Sequence, residues 1–92
     1  MVTYTFDHNQ ISIQETQNEH DVTFTLQVYS DEMRNRLKQV RSFFDDNKDY
    51  TDALFYTQQD GSYEVIVRSD AVIPFLLQAF RFRCVESLSW KS

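Results

Sequence analysis

The residues of this chain able to do chemistry are few and scattered. His8 and His20 each stand beside an aspartate, Asp7 and Asp21. A histidine with a carboxylate neighbour can hold a metal, or serve as a general base whose ring the carboxylate orients. Both pairs fall in polar, turn-forming stretches, and no helical or strand spacing brings the two histidines together. They read as solvated loop residues. Cys84, the only cysteine, has Arg81 and Arg83 close in sequence, and nearby cations would ionise a thiol into a nucleophile. Its alternation with Phe82 and Leu88 instead turns it into the core, with the arginines outward. Glu86 falls on the same expected face as Phe82, Cys84, Leu88 and Trp90. A carboxylate there needs a partner, a bulge that flips it outward, or a raised pKa suited to a catalytic acid. The bulge is the simplest of the three.

Asp45-x-Asn47-x-Asp49 copies the first ligand positions of a calcium loop, but Tyr50 stands where the turn wants glycine and Tyr56 where a bidentate glutamate belongs. It reads as an acidic helix end. Arg34, Lys38 and Arg41 form a basic helical stripe that could touch phosphates or an acidic partner; a solvated face is the commoner meaning. No catalytic constellation assembles, so the expectation is a chain that is not an enzyme, with no metal and no cofactor.

Composition narrows the classes further. Ninety-two residues make one domain, 1–92, with a thin core. Apolar and charged fractions of 41% and 25% are those of a globular chain, which argues against disorder. The single glycine, Gly61, excludes phosphate-cradling and dinucleotide loops, which depend on several. A lone cysteine excludes an internal disulfide. A net charge of −5 disfavours nucleic-acid binding. No signal-peptide pattern and no run of ~20 apolar residues are present, so a cytoplasmic chain independent of membranes is expected.

The elements that must position any site follow from periodicity. Val2, Tyr4 and Phe6 alternate with polar residues, as do Ile11 and Ile13; with Asp7-His8-Asn9 between them, they predict a hairpin. After the polar stretch 17–21, Val22, Phe24, Leu26 and Val28 mark the clearest strand. Ser30-Asp31-Glu32 opens a helix whose apolar stripe is Met33, Leu37, Val40 and Phe44. Residues 53–57 and 62–68 predict a second hairpin, apolar on both faces and therefore central or covered. Ser69-Asp70 opens a second helix to about Phe80, and a last strand carries Phe82, Cys84, Leu88 and Trp90 on one face.

The predicted class is α+β, in the order β-β-β-α-β-β-α-β, with a mostly antiparallel sheet and both helices on one face. Displaced by 39 residues, Val28, Ser30, Asp31, Leu37, Gln39 and Phe43 fall on Val67, Ser69, Asp70, Leu76, Gln78 and Phe82. That match suggests a duplicated strand-strand-helix unit, halves 10–44 and 53–83, related by a pseudo-twofold.

The second helix is the anomaly. Asp70, Pro74, Gln78 and Arg81 crowd into one narrow sector, and Val72, Ile73, Phe75, Leu76, Leu77, Ala79 and Phe80 fill the rest. A helix lying on one sheet needs an apolar arc of only about 100°; this one has about twice that. The excess can be covered by the first helix, a second copy of the chain, or a foreign protein. The expected role is a self-associating, non-enzymatic interaction or regulatory module whose interface is Val72, Ile73, Phe75, Leu76, Leu77 and Phe80, anchored by Ile73, Phe75 and Leu77. The alternative is a small acidic inhibitor of a nucleic-acid-handling protein, acting through Asp45, Asp46, Asp49 and Asp52.

Overall fold

Val22, Phe24 and Leu26 lie at the centre of the protein because their strand has neighbours on both sides. The computed structural model describes residues 2–46 and 53–90. In it the chain runs β1 (Val2–Thr5), β2 (Ile11–Gln17), β3 (Asp21–Val28), α1 (Asp31–Asp46), β4 (Ala53–Thr57), β5 (Tyr63–Arg68), a 3-10 turn (Ser69–Ala71), α2 (Val72–Arg81) and β6 (Ser87–Trp90). This is the expected α+β order. Four strands form one antiparallel sheet in the order β2-β3-β5-β4, and β1 and β6 form a separate antiparallel ribbon.

The first predicted hairpin does not form. β1 pairs with β6, Val2 opposite Trp90 and Thr5 opposite Ser87. β2 instead turns tightly back onto β3, Ile11 opposite Val28 and Gln17 opposite Val22. Its second half, Gln14 to Gln17, is polar and so has no periodicity to read. It is a strand because β3 offers it a ladder.

Register places Glu15, Phe24, Val65 and Phe55 in one row across the sheet. Both helices lie on that side. Phe75 of α2 meets Phe24 at 4.9 Å between ring centroids, and Phe44 of α1 meets Phe55 at 6.1 Å. The opposite face carries Thr16, Thr23, Thr25, Gln14 and Gln27 together with Leu54, Tyr56 and Ile66. It is not covered. Leu54 and Tyr56 are exposed, so only β5 of the second hairpin is central and β4 is an edge.

The helix ends show local chemistry at work. Ser30 caps α1, its Oγ accepting from the Met33 N–H at 3.1 Å. Ser69 does not repeat this. The 3-10 turn intervenes, α2 starts at Val72, and its N-cap position Ala71 has no side-chain bond. Pro74 thus sits in the first turn of α2, where its missing N–H leaves no intrahelical bond unmade. At the other end the Cys84 N–H donates to the Ala79 carbonyl at 2.8 Å and the Arg83 N–H to that of Phe80 at 3.0 Å. This is a Schellman stop, and Arg83 holds its left-handed position at φ 63°.

That stop corrects the last predicted strand. Residues 82–86 wind through the turn, and β6 begins only at Ser87. Glu86 is consequently exposed, its N–H donating to the Thr5 carbonyl at 2.7 Å. Cys84 is buried as expected, but by the turn rather than by strand alternation. No helix among the described residues is long and apolar enough to cross a membrane.

Candidate interaction surface

The six apolar residues expected to form one interface on α2 divide between two environments. Phe75 and Leu76 are buried against the sheet and belong to the core, as does Ala79. Phe75 is therefore no surface anchor: helical geometry carries it onto Phe24, and its ring also lies 6.1 Å from Phe44 and 6.2 Å from Phe55. Val72 is half-buried. Ile73, Leu77 and Phe80 remain outside, at 40%, 50% and 45% exposure. Their i, i+4, i+7 spacing makes them one stripe on the helix.

Part of the excess apolar arc is covered from within the chain, by the β1–β6 ribbon. Pairing Val2 with Trp90 sets an apolar end on the ribbon, and Leu88 lies two residues along the same strand. Ribbon and helix do not close completely. Between them lies a cleft of about 200 Å³ lined by Val2, Ile73, Leu76, Leu77, Leu88 and Trp90. Trp90 stands at its rim, 69% exposed. Sequence reasoning missed Trp90 as part of this surface, because nothing local shows that β6 ends beside α2.

The other candidate residues are not brought together. His8 stacks on Phe6 with centroids 4.4 Å apart, and His20 lies 3.5 Å from Glu19 on the surface. They occupy the turns at opposite ends of β2. Asp7 accepts from the Asn9 N–H at 2.9 Å and from Gln10 at 3.2 Å, and Asp21 accepts from Asn18 at 2.7 Å. Both aspartates shape turns. Burial pushes the Cys84 thiol up to about 12, with Arg36 opposing only weakly, so at neutral pH it is protonated. Among the described residues no three His, Cys, Asp or Glu side chains gather where a metal could be held.

The basic stripe of α1 is broken up as well. Arg34 turns inward, donating to the Gly61 carbonyl at 3.3 Å and the Tyr63 hydroxyl at 3.1 Å, and Arg41 lies 3.6 Å from Asp45. Of the acidic group, Asp45 and Asp46 are exposed at the end of α1. Asn47, Asp49, Tyr50 and Asp52 lie outside the described residues, so the calcium-like pattern and most of the acidic cluster do as well.

Another cleft, about 470 Å³, is lined by Asp7, Arg36, Phe80, Arg83, Cys84 and Glu86 among others. Its charges are mixed and largely engaged: Arg36 binds Glu32 at 2.5 Å and the Arg83 carbonyl at 3.3 Å. The apolar surface of α2 and Trp90 is the more distinctive feature. No protein-family model, no curated protein and no solved structure matches this chain.

Proposed function

We propose that this chain is a non-enzymatic interaction module that associates with a second copy of itself through the exposed stripe of α2 and the end of the ribbon. The observation that supports this reading is the contiguity of Ile73, Leu77 and Trp90 around one apolar cleft, with Phe80 extending the stripe. Large apolar groups grouped in this way mark association surfaces, whereas scattered ones do not. Tryptophan dominates such surfaces when it enters a desolvated pocket. Net charge also favours this face. Two copies at −5 repel broadly, and these residues bring no charge into the contact.

Mass by light scattering over a hundredfold dilution tests the reading. An assembly of at least twice the 11.0 kDa chain is expected, and Leu77→Asp should lower its mass with unchanged circular dichroism. A folded Leu77→Asp variant with the mass of the parent would sink this interface.

An internal duplication is proposed alongside. The offset of 39 pairs Thr25 with Glu64, and those two residues stand opposite each other in the β3–β5 ladder. A twofold axis through that pair would exchange the β2–β3 and β4–β5 hairpins. The unlike start of α2 shows how far the two halves differ.

A further inference from the structure

We propose that the outer edge of β4 pairs with the β4 edge of a second copy of this chain, antiparallel and centred on Phe55, joining two four-stranded sheets into one. This surface is separate from the α2 face and goes beyond the reading above.

The ladder itself shows which groups are available. Beyond the β4–β5 turn the Gln58 N–H donates to the Ser62 carbonyl at 2.8 Å. In an antiparallel pair, hydrogen-bonded and non-hydrogen-bonded positions alternate. Counting back from Gln58, Tyr56 and Leu54 direct their backbone groups toward β5. Ala53, Phe55 and Thr57 direct theirs away from it. The far side of the sheet agrees: the Ser69 N–H donates to the His20 carbonyl at 3.1 Å, which turns Tyr63, Val65 and Val67 toward β3 and leaves Glu64 and Ile66 for β4. Among the described residues no strand takes the outward groups of β4.

The two edges of the sheet are treated differently. β2 carries a charge, Glu15, on the helix side of the sheet, where the Tyr4 hydroxyl from the ribbon bonds it. An inward charge of this kind discourages a further strand. β4 has the sequence Ala-Leu-Phe-Tyr-Thr, with no charge, no lysine and no proline. It carries none of the charged or proline residues that blunt an edge.

The side chains point to a second copy as the occupant. From the centre outward β4 reads aromatic, large, small in both directions: Phe55, then Leu54 and Tyr56, then Ala53 and Thr57. Antiparallel pairing on Phe55 therefore sets Leu54 of each copy opposite Tyr56 of the other on the open face, where they are 52% and 48% exposed. Aliphatic–aromatic cross-strand pairs stabilise sheets, most at non-hydrogen-bonded positions, and this register makes these pairs non-hydrogen-bonded. Ala53 meets Thr57 and Phe55 meets itself in bonded positions. A twofold contact of this kind is isologous and closed. With the α2 face also occupied, the chain assembles beyond a dimer.

A charge-reversal pair tests the register, in the Leu77→Asp background so that the α2 face is silent. Leu54→Glu with Tyr56→Glu places like charges opposite each other across the twofold and should give single-chain mass. Leu54→Lys with Tyr56→Glu places opposite charges there and should restore twice that mass. Leu54 and Tyr56 are both exposed, and circular dichroism checks the fold. Amide exchange on the Leu77→Asp protein gives a second readout. Protection at Ala53, Phe55 and Thr57 should rise with concentration, while Leu54 and Tyr56 are protected throughout. Equal masses for the two double variants, or exchange at Ala53, Phe55 and Thr57 that ignores concentration, overturns the proposal. If these fail while Leu77→Asp alone halves the parent mass, the α2 reading stands and only the β4 contact is lost.

Discussion

Phe24 of β3 and Phe75 of α2 meet with ring centroids 4.9 Å apart and planes tilted by 40°, and each is at least 97% buried. The contact joins the central strand to the helix whose far side is exposed. Phe44 and Phe55 extend it toward α1 and β4. An aromatic cluster is an economical core for a chain this small, since few residues fill it and tilted rings add attraction beyond burial. It also fixes the rotation of α2, and so decides which residues face outward.

Phe75→Ala should be severe. Emptying a buried aromatic site destabilises by about 3–5 kcal/mol, a large share of what a domain of this size has. Leu77→Ala, two residues along and half exposed, should change monomer stability by less than ~1 kcal/mol. Urea unfolding of both variants measures the difference. Comparable losses would mean that the helix is rotated from the position described.

Trp90 is the only tryptophan, so intrinsic fluorescence reports one position. If the α2 face associates, its emission should shift to shorter wavelength as concentration rises, because the indole leaves water. Leu77→Asp should abolish the shift. Emission that stays solvent-like at every concentration contradicts the placement of Trp90 in the contact.

Arg83 occupies a left-handed position that glycine adopts without strain. Arg83→Gly should therefore raise stability by roughly 1 kcal/mol, less the greater freedom of glycine in the unfolded chain. A melting temperature that falls would show that the arginine side chain contributes more than its backbone loses.

Ser30 and Ser69 occupy equivalent places in the proposed duplication but do different work. Ser30→Ala removes a cap and should destabilise by about 1 kcal/mol. Ser69→Ala removes no cap and should be near neutral. Equal losses would mean that Ser69 caps after all.

Alkaline pH should weaken the fold. Burial raises the Cys84 thiol from its ordinary 9.0 to about 12, and burial together with Glu15 raises the Tyr4 hydroxyl above its ordinary 10.0. The folded protein thus keeps protons that the unfolded chain releases. The stabilisation is complete below about pH 9 and is lost as pH rises toward 12, at up to roughly 1.4 kcal/mol per unit for Cys84 and less for Tyr4, which solvent partly reaches. Denaturant unfolding at pH 8, 9, 10 and 11 checks this, and Cys84→Ala should flatten the first part of the decline. A profile that does not change over that range would contradict the burial of both groups.

What the sequence determined by itself was local. Alternation marked β3 and β5, the Ser30 cap and the Met33–Leu37–Val40–Phe44 stripe marked α1, and the width of the apolar arc marked α2 as a helix in need of cover. Each follows from periods of two or 3.6 residues and from hydrogen bonds made within a few positions. Pairing between distant segments is not encoded that way. Val2 and Trp90 meet across nearly the whole chain, and no property of either residue names the other. The polar half of β2 is a strand only because β3 lies beside it, and β4 is an edge only because the sheet ends there. Glu86 faces water because the Schellman stop at Arg83 resets the register before β6. Tertiary structure alone decided that Phe75 turns inward while Leu77 turns out, because burial depends on the packed neighbours as well as on the helix.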